Sequence, residues 1–275
     1  MQMKMEKLID IVDSSIKQVL AEFFVPSNVL GQGMEYSLLG GGKRLRPVML
    51  LASFFEVCGM MQEDNAALKY LIFAVESLHT YTLIHDDLPC MDNDIERRGK
   101  PCCHIKFGEA AALLAGDALL NASFESFIKA IKLQPNLIHA ADYFYSLAGA
   151  KGLIAGQSLE FELDTFSKET LLEIFKHKTA ALFRSSAYIG GSMGLIAINK
   201  FDPASSILTD LDSFALNYGL AFQLKDDLDD LNEKGYAARF GAKEAQKLLD
   251  EYKQKAVLAI KKYNYNFLTA LANDL

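Results

Sequence analysis

Carboxylates crowd into two short stretches of this chain. The segment IHDDLPCMD carries Asp86, Asp87 and Asp92, with Asp94 close behind, and FQLKDDLDD carries Asp226, Asp227, Asp229 and Asp230. On an uninterrupted helix Asp226 and Asp230 stand at i and i+4, so their carboxylates project from one face about 6 Å apart, with Gln223 and Gly219 continuing that face. Like charges this close raise one another's pKa and cost stability unless a cation neutralises them. Clustered hard oxygen donors select Mg2+ or Ca2+ over zinc or copper. Asp86 and Asp92 would fall on opposite faces of a regular helix, but Pro89 between them breaks the regularity and returns Asp92 to the side of Asp86. A solvated helix face is the ordinary explanation of a lone acidic quartet.

The basic residues weigh against that explanation. Lys43, Arg44 and Arg46 follow the glycine turn of GGGKRLRP, Arg97 and Arg98 follow the first acidic cluster, and Lys178 and Arg184 share another helix. Arginine forks and lysine point charges grip a diphosphate directly, while Mg2+ bridges its remaining oxygens to carboxylates. The combination suggests two phosphate sites of opposite design, one metal-bridged and one salt-bridged. His79 stands two helical turns before Asp86 on the same face, about 10 Å away. A lone histidine on an apolar helix is usually a satisfied core residue, but this one faces the same way as the acids.

Apolar periodicity predicts the elements that must hold these groups. Helices are expected over 5–24, closed by Pro26, and over 48–58, 66–87, 110–133, 138–149, 153–162, 168–190, 204–230 and 242–272; Asp202 caps the eighth, with Pro203 at its first position. No strand is expected, and the chain of 275 residues reads as one all-α domain, 1–275, with its site inside a helical bundle. The 51% hydrophobic content is enough for a sizeable core, and a net charge of -7 argues against nucleic acid or an anionic membrane surface as partner. Cys58, Cys90, Cys102 and Cys103 lack zinc spacing and read as reduced cytosolic thiols. No secretory signal and no membrane span is expected, because the most apolar stretch, 110–120, is interrupted by Asp117.

The motifs GGGKRLRP, HTYTLIHDDLPCMDNDIERRGKP, HIKFGE, LAGDALL, GQSLEFE, HKTAALFR and AFQLKDDLDD occur in an order and spacing that resemble the trans-isoprenyl diphosphate synthases, the polyprenyl synthetase family. Within it the chain most resembles the bacterial farnesyl diphosphate synthase group, which has the long first motif DDxxxxD, and the resemblance runs from about Leu39 to Leu249. It implies a cytoplasmic, homodimeric, all-α single-domain bundle of the isoprenoid synthase type, with a deep central cavity and two facing aspartate-rich motifs. The implied reaction is Mg2+-dependent, head-to-tail condensation of isopentenyl diphosphate with an allylic diphosphate (dimethylallyl or geranyl), with three Mg2+ ions per site once diphosphate is bound.

Carried over by position, Asp86, Asp92, Asp226 and Asp230 would ligate Mg2+, with Asp87 beside the first site and Gln157 beside the metals. Lys43, Arg46, His79 and Arg98 would hold isopentenyl diphosphate. Arg97, Lys178 and Lys234 would hold the allylic diphosphate, and Thr179 and Gln223 would border the developing carbocation. Tyr81 and Thr82 line the expected cavity floor. An aromatic residue five positions before the first aspartate generally accompanies a fifteen-carbon product in the family, so Tyr81 favours farnesyl diphosphate; the LPCMDN wording resembles plant-type geranylgeranyl synthases and keeps the twenty-carbon product open. A terpene cyclase would replace the second DDxxD and lack GGKRLRP, and an inactive regulatory subunit would have lost an acidic motif. Three departures stand out: Glu160 where the GQ motif usually has aspartate, Glu96 where an aliphatic residue is expected, and a short segment after Asp230, with Lys234 as candidate for the usual loop lysine.

Overall fold

A computed structural model describes residues 4–23, 28–60, 65–162, 167–230 and 235–275. Its helices are α1 (Met5–Phe23), α2 (Val29–Leu38), α3 (Leu45–Cys58), α4 (Ala66–Asp86), α5 (Cys103–Phe107), α6 (Glu109–Leu133), α7 (Ile138–Ala148), α8 (Leu153–Glu162), α9 (Lys168–Phe175), α10 (Ala181–Ala197), α11 (Ser206–Asp230), α12 (Tyr236–Phe240), α13 (Ala242–Ile260) and α14 (Asn266–Asn273). A π turn, Lys176–Ala180, joins α9 to α10, and a short hairpin pairs β1 (Glu96–Arg97) with β2 (Lys100–Pro101). The chain divides into two compact units, Met1–Val48 with Gln62–Pro135 and Met49–Met61 with Asn136–Leu275.

In the first unit α1 buries Leu8, Val12, Ile16 and Val19, one stripe at three- and four-residue steps, and packs against α4. Helix α4 is apolar around its circumference and buries Leu71 through Val75 without a break. Its main partner is α6, whose hydroxyls reach back to it: Ser123 Oγ donates to the Ala74 carbonyl (2.8 Å) and Ser126 Oγ to that of Tyr70 (2.9 Å). By length and composition α6 would suffice to cross a membrane even with Asp117 inside it, but here Ala112, Ala115, Leu119 and Phe127 are buried in protein. Its outer face leaves Leu113, Leu114, Phe124 and Ile128 exposed, all within a sector of about 100°.

In the second unit α11 packs on α10 and α13. Arg184 of α10, grouped above with the phosphate-binding basics, is instead a structural clamp: its Nε and Nη2 donate to the Asp212 carboxylate at 2.8 and 2.9 Å, and the Tyr143 hydroxyl donates to the same group.

Other expectations are corrected. Helices α2, α5 and α12 were not anticipated; α2 hides behind two glycines, and α5 and α12 are single turns of five residues. Asp202 and Pro203 form a turn, in which Asp202 Oδ1 accepts from Ala204 N (2.9 Å), and α11 begins only at Ser206, after Ser205 Oγ takes the Ile207 amide. The last helix breaks at residues 261–265, because Glu56 accepts from the Phe267 and Leu268 amides (2.7 and 3.2 Å) and starts α14 anew. Phe24 and Pro26 lie outside the described residues.

Burial pushes the Glu56 carboxyl up to about 7 from an ordinary 4.5, against the lowering effect of those two amides. A carboxyl with a raised folded pKa contributes stability that is complete below its unfolded value and is lost as pH rises through the folded one. Glu56→Gln removes that titration, so the melting temperature of the variant is expected to gain on the parent between pH 5 and pH 8; parallel melting curves across that range would refute it.

Candidate active site

The glycine turn is built around one buried cation. Arg44 sits at φ 51° and turns its side chain inward, where Nη1 donates to Glu76 Oε1 of α4 (2.7 Å), Nε to Asp13 Oδ1 of α1 (3.0 Å) and Nη2 to the Leu38 carbonyl ending α2 (2.9 Å). Both members of the Arg44–Glu76 pair are almost fully buried. With that residue fixed, Lys43 is left exposed and Arg46 Nη1 lies 3.2 Å from His79 Nε2. Burial, and then the charge of Arg46 with help from Arg98, Arg97 and Arg44, hold the His79 imidazole well below its ordinary pKa. A guanidinium can only donate, so His79 accepts at Nε2 and carries its proton on Nδ1.

The arginine pair comes from the hairpin, which corrects the expectation of no strand. Arg98 and Gly99 both have positive φ (55° and 74°), the condition for a two-residue hairpin turn whose twist matches the strands. Arg98 then reaches the Gly41 carbonyl, and a Cβ on Gly42 (φ 121°) would come within 2.5 Å of its guanidinium carbon. Lys43, Arg46, His79 and Arg98 are thus brought around one glycine loop. Arg97 turns the other way: Nε donates to Asp87 Oδ1 (2.7 Å) and Nη2 to Asp94 Oδ2 (3.2 Å).

This sorts the first acidic cluster. Helix α4 ends at Asp86, three residues before Pro89, and the following turns bring the Asp92 amide to the Asp86 carbonyl at 2.9 Å. Asp87 is buried and engaged with Arg97, which makes it the anchor of that arginine. It also receives the thiol of Cys102, which burial first and Asp87 second push up to about 12. Burial likewise raises Cys103 and Cys58, and Cys90, inside the turn, is exposed. Tyr81 is buried with its ring edge-on to His85 (5.5 Å), and Thr82 Oγ1 donates to the His79 carbonyl (2.7 Å).

The second unit arranges the other residues around the π turn, which interrupts what the sequence suggested was a single helix over 168–190. Such wide turns mark functional segments of helices, and this one carries Lys178 and Thr179. Gly219 lets α11 close on it: a Cβ there would lie 2.6 Å from Ala180 Cα. Lys178 Nζ donates to Glu160 Oε2 of α8 (2.7 Å), so the departure noted at Glu160 places a carboxylate on the lysine. Gln157 of α8 has a buried Nε2 with no hydrogen-bond partner among the described residues. Thr179 Oγ1 donates to Gln223 Oε1 (2.7 Å), Gln223 Nε2 to Asp227 Oδ1 (2.9 Å), and the Tyr236 amide to Asp227 Oδ2 (2.7 Å). Asp226 is half-buried one position earlier. Lys234 and the side chain of Asp230 lie outside the described residues.

Among the described residues no three histidine, cysteine or carboxylate side chains converge as a ready-made metal cage. Oxygen donors offered singly or in pairs suit Mg2+, which keeps several waters and binds through one or two carboxylates together with substrate phosphates.

Comparison with known proteins gives the following. The family model described as polyprenyl synthetase matches residues 27–245. Farnesyl diphosphate synthase of Escherichia coli is 35% identical over 291 residues, covering 93% of both chains. The large subunit 1 of the heterodimeric geranylgeranyl pyrophosphate synthase of Arabidopsis thaliana is 39% identical over 211 residues, 74% of this chain, but the match spans only 54% of that chloroplast protein. Among solved structures, an apo FPP/GFPP synthase from Zymomonas mobilis superposes with a TM-score of 0.86 at 30% identity, covering 98% of each chain.

Arg44→Met would strand Glu76 as an unpaired buried carboxylate, a change that typically costs about 3–5 kcal/mol. Chemical denaturation should show the loss, and Arg44→Met/Glu76→Leu should recover most of it; a single variant as stable as the parent would contradict the role given to Arg44.

Proposed function

Because the chain belongs to the polyprenyl synthetase family, we propose that it is a Mg2+-dependent prenyltransferase that joins isopentenyl diphosphate head to tail to an allylic diphosphate, with (2E,6E)-farnesyl diphosphate as end product. The observation that carries this reading is the gathering of Lys43, Arg46, His79 and Arg98 around one glycine loop, in the same unit as the adjacent Asp86 and Asp92.

In this reading Lys43, Arg46 and Arg98 hold the diphosphate of isopentenyl diphosphate, and neutral His79 keeps Nδ1–H as a donor without adding charge. Arg97, already oriented by Asp87 and Asp94, and Lys178, oriented by Glu160, are assigned to the allylic diphosphate. Asp86 with Asp92, and Asp226 with Asp230, would hold Mg2+, which when bound neutralises charge on the departing diphosphate. As the allylic C–O bond ionises, the oxygens of Thr179 and Gln223 face the developing cation. The isopentenyl double bond attacks that cation to form the new carbon–carbon bond, and the released pyrophosphate removes a proton from the resulting tertiary cation, so that a new double bond forms. No side-chain nucleophile enters, which fits Cys102 and Cys103 being held as protonated thiols. The proposal includes a cytoplasmic homodimer, with the exposed apolar face of α6 as the surface a second copy would cover.

Incubation with isopentenyl diphosphate, Mg2+ and dimethylallyl or geranyl diphosphate should yield farnesyl diphosphate, and a chelator should abolish turnover; no elongated product with either primer would sink the reading. Tyr81, buried one turn before the first motif, supports the fifteen-carbon limit. Tyr81→Ala is expected to shift the product toward twenty carbons on chromatography of the dephosphorylated prenols, and an unchanged distribution would remove Tyr81 from the cavity floor.

A further inference from the structure

The series Thr179, Gln223, Asp227 and the Tyr236 amide has a fixed direction. A backbone N–H can only donate and an ionised carboxylate can only accept. Asp227, 6% exposed, therefore selects the NH2 end of the Gln223 amide at one oxygen while it takes the Tyr236 N–H at the other. The Gln223 carbonyl must then face Thr179, and the single hydroxyl proton of Thr179, itself 7% exposed, is committed to it. What remains on Thr179 Oγ1 is acceptor capacity alone.

We propose that Asp227 is a positioning residue that sets this polarity, so that Thr179 turns an oxygen lone pair rather than its hydroxyl proton toward the substrate, with the Gln223 carbonyl oxygen beside it. The inference rests on the reading that these two residues border the allylic cation. A lone pair stabilises a developing positive charge, and a hydroxyl proton in the same place opposes it. The second motif thereby acts on the cation through an acid that is spent on its own neighbours.

Asp227→Asn tests the relay while leaving a hydrogen-bonding partner for both Gln223 and the Tyr236 amide. The Tyr236 amide claims the introduced carbonyl, so the introduced NH2 faces Gln223; the Gln223 amide turns over and donates to Thr179, whose own proton is released. The expected variant keeps the parent's circular dichroism and melting temperature, keeps both KM values, and loses kcat by roughly 10- to 100-fold. Adding Gln223→Glu restores an acceptor toward Thr179 while accepting from the introduced amide, so Asp227→Asn/Gln223→Glu is expected to turn over severalfold faster than Asp227→Asn. A purely structural role for Asp227 would lower stability and show no such rescue. Parental kcat in Asp227→Asn, loss of its fold, or a double variant no faster than the single would each overturn the proposal. Thr179→Val separates the two levels: if it turns over like the parent, the placement of Thr179 beside the cation fails and the relay with it, whereas a slow Thr179→Val beside a fast Asp227→Asn overturns the relay alone.

Discussion

A guanidinium removed from water governs the first unit. Arg44 could not remain buried without Glu76, Asp13 and the Leu38 carbonyl, and those three acceptors come from three different helices. A buried ion pair is a weak source of net stability because desolvation offsets its Coulomb energy; what it imposes is geometry, since any arrangement that parts the charges costs far more than one that keeps them. That penalty can hold Arg44 at a left-handed φ unusual for a non-glycine residue. The neighbouring residues follow: the Gly41 carbonyl is offered to Arg98, Lys43 stays in solvent and Arg46 meets His79.

The second unit reaches a comparable order by different means. Its centre is a widened helical turn seated against glycine, with neutral hydrogen bonds running from the turn into α11. Both units use acids to orient other groups as much as to meet a metal. Asp87 spends its carboxylate on Arg97 and Asp227 on Gln223 and Tyr236, while the neighbours Asp86 and Asp226 are only half-buried. In the pairs Asp86–Asp87 and Asp226–Asp227, the second aspartate is buried and engaged by protein groups while the first is half-buried.

Much of this was legible in the residues. The long helices follow from apolar period, and the end of α4 at Asp86 from the proline that follows it. The fate of Arg44 was not, because KRLR offers three similar cations and what distinguishes them is a lone acid far along another helix; Glu76, alone in an apolar run, was the available signal. The hairpin lacks the Asn-Gly or Asp-Gly pair that usually announces such a turn and uses arginine at a positive φ instead. The π turn has no compositional mark, since Lys176–Ala180 reads as ordinary helix and only packing against Gly219 reveals the extra width.

The distribution of the thiols has a practical side. Burial keeps Cys58, Cys102 and Cys103 protonated at neutral pH and out of reach of alkylating reagents, which attack thiolates. Cys90 is exposed and lies in the turn that joins Asp86 to Asp92. The native chain therefore has one addressable handle among its described cysteines, already placed inside an acidic motif, and a fluorophore attached there would make that turn directly visible to spectroscopy with no engineered cysteine.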